Sequence, residues 1–199
     1  MWKAHYDKLS KEKHPPAHTL SQTLDFMSRK DRLKNLKAID LGCGNGIDTF
    51  ALLEEGFNVL AIDKDSNASL LLQKHISSKH LVVFSFQNSS FESLDELPSA
   101  DLVNASFSLP FCHPNKFEKL WSNITSCINP EGFFCGHFFG PKDSWSSNSD
   151  MTFHNMEAVK KLFEEFELLY FEETAKNGKT LSGKEKFWHV FHIVAKKQE

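Results

Sequence analysis

A chain of 199 residues, 40% hydrophobic and 25% charged, fits one domain with a real core and is too apolar for disorder. The net charge is −3, and Arg29 and Arg32 are the only arginines among 23 basic residues, which argues against a nucleic-acid substrate. No apolar run approaches the roughly 20 residues of a membrane helix, and Met1–Asp7 lacks the apolar core of a signal peptide. Cys43, Cys112, Cys127 and Cys135 show no C-x-x-C spacing, so neither a metal site nor a disulfide framework is expected, and the cytoplasm is.

The segment up to Pro16 has no place in a sheet, yet it concentrates Trp2, His5, Tyr6 and His14-Pro15-Pro16. A first helix is predicted from Thr19 to about Ser28, with Leu20, Leu24 and Met27 on one face. Ala38–Leu41 is an apolar strand broken by Asp40, followed by Gly42-Cys43-Gly44-Asn45-Gly46. A helix over Ile47–Glu55 stops at Gly56, and Asn58–Ile62 is a buried strand ending at Asp63. A helix starts near Ser66, and the third and fourth strands are expected at His80–Phe86 and Asp101–Ala105. From about Pro114, Phe117, Leu120, Trp121, Ile124 and Ile128 recur at helical spacing, until Asn129-Pro130-Glu131-Gly132 reads as a type I turn. Phe133–Phe139 is the fifth strand, and an amphipathic helix runs from about Asn155 through Val159 and Phe163 to Phe166. Leu168–Glu173 and Phe187–Ala195 follow, separated by a polar loop holding Asn177-Gly178 and Gly183. With no crossover helix between them, these two strands should be antiparallel. The expected architecture is α/β: a doubly wound, mostly parallel seven-stranded sheet with an antiparallel last strand, in one domain made of an N-terminal segment 1–17 and a core 18–199.

The loop after the first strand carries the chemistry. A dinucleotide site would show G-x-G-x-x-G. Here the spacing is G-x-G-x-G, and Asp40 stands two residues before the first glycine. A carboxylate there would repel a pyrophosphate and attract an ammonium or sulfonium. Asp63, at the next strand end, is placed to accept hydrogen bonds from both hydroxyls of a ribose. The competing role for Asp63 or Asp65 is to cap the helix starting near Ser66.

Asp40-Leu41-Gly42-Cys43-Gly44-Asn45-Gly46 resembles motif I of the class I S-adenosylmethionine-dependent methyltransferases, and the closing hairpin resembles their Rossmann-like sheet. The small single-domain plan resembles the tellurite-resistance group, without implying its acceptor. The resemblance implies S-adenosylmethionine as cofactor, cradled by Asp40, Gly42, Cys43, Gly44 and Gly46, with Asp63 and Lys64 at the ribose. The family often places an acid near the adenine amino group, and here Asn88, Ser90 or Phe91 would serve. Asn104 closes the cofactor shell, and Tyr6 shields the sulfonium if residues 1–16 fold over as a lid. Such a segment could equally be surface packing.

In this fold the methyl group points at the end of the fourth strand, so Ser106, Phe107 and Phe111 are acceptor candidates. Base-amine methyltransferases carry N/D-P-P-Y/F there; this chain has Asn104 and Phe107 without the prolines. Because the last strand runs backwards, Lys186, Phe187, Trp188 and His189 start on the ligand side. Trp188 is then a substrate candidate, or ordinary core. His137 and His189 are candidate general bases for a hydroxyl or protonated amine, and either could instead be structural. A small-molecule methyltransferase is the leading reading, with a catalytically silent cofactor-binding subunit as the alternative. A nicotinamide oxidoreductase is disfavoured by the glycine spacing. Oligomeric state is open.

Overall fold

The computed structural model describes residues 14–28, 35–180 and 183–199. Trp2, His5 and Tyr6 therefore lie outside the described residues. Helix α1 (His18–Ser28) precedes β1 (Lys37–Leu41), α2 (Ile47–Glu54), β2 (Asn58–Asp63), α3 (Ser66–His75) and β3 (Phe84–Asn88). Then come β4 (Ala100–Ala105), α4 (Pro114–Cys127), β5 (Ile128–Phe139), α5 (Met156–Leu162), β6 (Phe166–Lys179) and β7 (Glu185–Lys197).

Seven strands form one sheet in the order β3-β2-β1-β4-β5-β7-β6. The first five are parallel, and β7 is antiparallel to both β5 and β6. Side chains alternate across the pleat, so Ile39, Leu41 and Val103 face the layer of α4 and α5, where Trp121, Ile124 and Phe163 pack. Ala38, Val59 and Leu102 face Leu20 and Met27 of α1 and Leu52 and Leu53 of α2. Pro114 at the first turn of α4 suits a position whose N–H has no helical partner, and His113 caps the next residues by accepting from the Asn115 N–H. Strand order reverses between β1 and β4, which opens a crevice above their carboxyl ends.

Four boundaries differ from the pattern-based expectation. The third strand starts at Phe84, because Ser78–His80 form a 3₁₀ turn that buries His80 and leaves Val82 89% exposed. The Asn129–Gly132 turn sits inside β5 as a bulge: pairing jumps from Ala100↔Ile128 to Leu102↔Phe133, with Glu131 at φ 66°. Helix α5 ends at Leu162, and Phe166 opens β6. The β6–β7 hairpin is also longer than expected, since Asn177 and Gly178 pair with Phe187 and Lys186 and do not turn. Across that ladder a Cβ at Gly178 would come within 3.1 Å of the Trp188 indole, so the glycine makes room for the ring.

Candidate active site

A cavity of about 340 Å³ occupies the β1/β4 crevice. Its walls are the loop after β1, the first turn of α2, Asp63 and Lys64 after β2, Ser89–Glu92 after β3, and Ser106–Ser108 and Phe111 after β4. Pro15 and Ala17 close one side. Gly42, Gly44 and Gly46 all have positive φ (72°, 53° and 85°). A Cβ at Gly42 would stand 2.4 Å from Ser108 Cβ, and one at Gly46 would stand 2.2 Å from Leu72, so the loop is pressed too tightly for side chains. Gly46 is the residue that turns the chain into α2 and does not line the cavity itself.

Asp40 is 2% exposed and borders the cavity. Its carboxylate accepts from Thr49 Oγ1 at 2.6 Å and from Asn104 Nδ2 at 2.9 Å. The same Asn104 Nδ2 donates to Asp48 at 3.0 Å, and Asp48 also accepts the Ala17 N–H at 2.8 Å. Burial first, and then the neighbouring Asp48 charge, push the Asp40 carboxyl up to about 7; none of the groups acting on it is a cation. Asp48 escaped the sequence reading, because an acid in the first turn of a helix is ordinary. Only the fold sets it beside Asp40. Cys43 lines the same wall, and its thiol is held protonated by burial and by Asp40.

Asp63 accepts the Gly44 N–H at 2.9 Å and the Asp65 N–H at 2.8 Å, and burial raises its pKa. Asp65 supplies the helix cap by accepting from the Asn67 N–H, which leaves Asp63 and Lys64 on the cavity wall. Asn88 is turned away, donating to the Asp63 carbonyl at 2.9 Å. Ser90 and Phe91 do line the cavity, and so does Glu92, an acid one residue beyond the positions considered from sequence. Glu92 Oε1 also accepts the His113 N–H at 3.1 Å. Asn104 is fully buried behind the wall, where it organises the carboxylates.

Of the acceptor candidates, Ser106, Phe107 and Phe111 line the cavity and Trp188 does not. The Trp188 indole meets the Phe107 ring edge at 6.3 Å and, with Trp145 and Phe139, encloses the ammonium of Lys186. Lys186 is 4% exposed and paired with Asp143 at 2.5 Å, so it belongs to the core rather than the site edge. Neither candidate base reaches the cavity wall, which corrects the sequence expectation. His189 accepts the Lys142 N–H at Nδ1, contacts Glu173 Oε1 through Nε2 at 2.7 Å, and packs flat against Gly140. His137 is 1% exposed, its Nδ1 accepts the Phe107 N–H, and burial holds its pKa well below the usual value.

The family model described as a methyltransferase domain matches residues 38–132. "Probable S-adenosylmethionine-dependent methyltransferase CRG1" of Saccharomyces cerevisiae is 26% identical over 140 residues, which make up 68% of this chain and 45% of that protein. The chain thus spans less than half the length of that curated relative. TehB from Haemophilus influenzae has a TM-score of 0.77 at 17% identity, covering 96% of this chain and 65% of its own. N-methyltransferase NodS from Bradyrhizobium japonicum WM9, solved in complex with S-adenosyl-L-homocysteine, has a TM-score of 0.66 at 13% identity, covering 98% and 99%. At those identities the solved structures establish the fold. The matched segment carries every cavity wall from Asp40 to Phe111, and over it the chain is similar to a methyltransferase domain, on the fold that the class I S-adenosylmethionine-dependent methyltransferases share.

Proposed function

We propose that the protein transfers the methyl group of S-adenosylmethionine to a small-molecule acceptor in the β1/β4 cavity. The observation that carries this reading is the buried Asp40–Asp48 pair, bridged by one Asn104 amide and bordering a left-handed glycine loop. Two adjacent carboxylates in a low-dielectric wall repel each other, and a cationic ligand relieves that repulsion. S-adenosylmethionine fits, because it brings a positively charged amino group and a sulfonium that supplies an activated methyl. The volume lies within the range of small-ligand pockets.

Asp40 and Asp48 take the charged methionine end, and the glycine loop lets the backbone approach it. Asp63 keeps lone pairs for ribose hydroxyls, with Lys64 beside it, and Ser90, Phe91 and Glu92 edge the adenine. Ser106, Phe107 and Phe111 face the acceptor. The segment before α1 is assigned as the lid on the ground that Pro15 and Ala17 line the wall; Tyr6 lies outside the described residues. Ser106, Phe107 and Phe111 line the acceptor end, and there the protein contributes alignment and desolvation to an acceptor whose own lone pair attacks. The reaction is assigned to the cytoplasm and to neither nucleic acid nor membrane; no helix among the described residues is long and apolar enough to cross one.

Calorimetry with S-adenosylhomocysteine and with NAD tests the cofactor assignment. Binding of the first and not the second is expected, and the reverse would refute it. Methyl transfer to any member of a small-molecule panel completes the test. Tight binding without turnover over a broad panel would instead mark a silent cofactor-binding subunit.

A further inference from the structure

Phe107 is the most strained side chain at the site. Three non-glycine residues among those described have positive φ: Asn35, Glu131 in the β5 bulge, and Phe107 at 51°. Asparagine tolerates that region, whereas a bulky aromatic does not. Phe107 is also 41% exposed although it is a large apolar residue. Packing alone would bury the ring and relax the backbone, so both features need a cause.

The surroundings are built to hold this ring. His137 Nδ1 accepts the Phe107 N–H at 3.2 Å, which fixes the left-handed turn. The imidazole then lies under the phenyl ring at 3.8 Å between centroids and 14° between planes. Accepting at Nδ1 leaves the imidazole proton on Nε2, so the backing ring is a neutral aromatic. Phe139, Trp188 and His192 lie 6.4, 6.3 and 6.4 Å from the phenyl centroid, tilted or perpendicular to it. One face is thus covered by the imidazole, while the residue stays 41% exposed and lines the cavity. Its neighbours commit their hydroxyl protons elsewhere: Ser106 Oγ donates to Asn104 Oδ1 and Ser108 Oγ donates to the Leu41 carbonyl.

We infer that Phe107 is a stacking platform for an acceptor with a flat, conjugated face, and that His137 is the positioning residue that sets it. The substrate class is aromatic or similarly planar small molecules, not flexible aliphatic ones. Offset stacking on a preorganised ring fixes the acceptor plane and leaves one edge directed to the methyl donor. The inference rests on the methyl-transfer reading of the same cavity.

The test is a binding comparison on the full chain saturated with S-adenosylhomocysteine, using benzyl alcohol and cyclohexylmethanol as probes. They share a hydroxymethyl group and ring size and differ in planarity. Ligand-observed NMR titration should give benzyl alcohol at least a fivefold tighter Kd. Phe107→Leu and His137→Leu should abolish the preference, and Phe107→Tyr should keep it. His137→Asn, which returns an acceptor oxygen near the place of Nδ1, should restore part of it. S-adenosylhomocysteine affinity should stay within twofold in all four variants, which a merely destabilised fold would not show. Equal Kd values for the two probes in the unmodified protein, or a preference that survives Phe107→Leu, would overturn the inference. Failure of the unmodified protein to bind S-adenosylhomocysteine would instead remove the methyl-transfer reading, and this inference with it.

Discussion

Replacing Asp40 by asparagine should stabilise the ligand-free protein at alkaline pH while weakening the ligand it is there to bind. The Asp40 carboxyl sits at about 7, against 3.8 when unperturbed, because it is buried beside Asp48. Between those two values the native state holds a proton that the unfolded chain has released, so native stability falls as pH rises through that window and levels off above about 7. At 1.36 kcal/mol per pH unit this is on the order of 4 kcal/mol. Asparagine removes the charge but also one acceptor, so either Thr49 or Asn104 loses a hydrogen bond at a cost of about 1–2 kcal/mol. At pH 8 the net gain should be about 2–3 kcal/mol, and at pH 4 the variant should be the less stable protein. Urea unfolding at pH 4, 6 and 8 measures both, and calorimetry at pH 8 should show S-adenosylhomocysteine binding weakened at least tenfold. An unmodified protein whose stability is flat from pH 4 to 8, or an Asp40→Asn variant less stable at pH 8, would refute the carboxylate-pair argument.

Asp63→Ala should cost S-adenosylhomocysteine about 2–4 kcal/mol of affinity by removing a charged acceptor from two hydroxyls; an unchanged Kd by calorimetry would remove the ribose assignment. Asp48→Ala should release the Ala17 N–H and speed limited proteolysis ahead of α1. The loss of a like charge should also lower the pH at which Asp40 titrates, as followed by carboxyl NMR. Lys186→Met should destabilise the fold by roughly 3–5 kcal/mol, since Asp143 would be left buried and unpaired, with S-adenosylhomocysteine affinity unchanged at a temperature where both proteins are folded.

What could be read in advance follows the range of the forces involved. The glycine loop and Asp40 lie in one strand–turn–helix unit and Asp63 and the Asp65 cap in the next, so their places at the strand ends are set by their neighbours along the chain. The antiparallel close was legible too, because the absence of a crossover helix is itself a local signal. Boundaries failed where tertiary contacts overrode propensity. Val82 and Val83 favour strand but form part of a turn, and Asn177-Gly178 favours a turn but joins the hairpin opposite Phe187 and Lys186. The site errors have the same origin. His137 takes its role from Phe107, 30 residues away, and Lys186 from Asp143, 43 residues away. His189 is held by Lys142 and Glu173, from two different parts of the chain. A strand-end histidine carries no mark in the sequence that distinguishes a base from a brace.

Asn104 spends its whole hydrogen-bonding capacity: Nδ2 donates to Asp40 and Asp48, and Oδ1 accepts from Ser106 Oγ and Cys135 Sγ. Aspartate there would turn two donations into repulsions, leucine would strand four partners, and glutamine would overreach by a methylene. One amide therefore ties the Asp40 and Asp48 carboxylates on one cavity wall to Ser106 in the turn after β4. The two halves of the pocket cannot drift apart by separate mutations. On the proposed reading, a change of acceptor falls to Phe107, Phe111 and the loops around them, over a β4 end that Asn104 holds fixed.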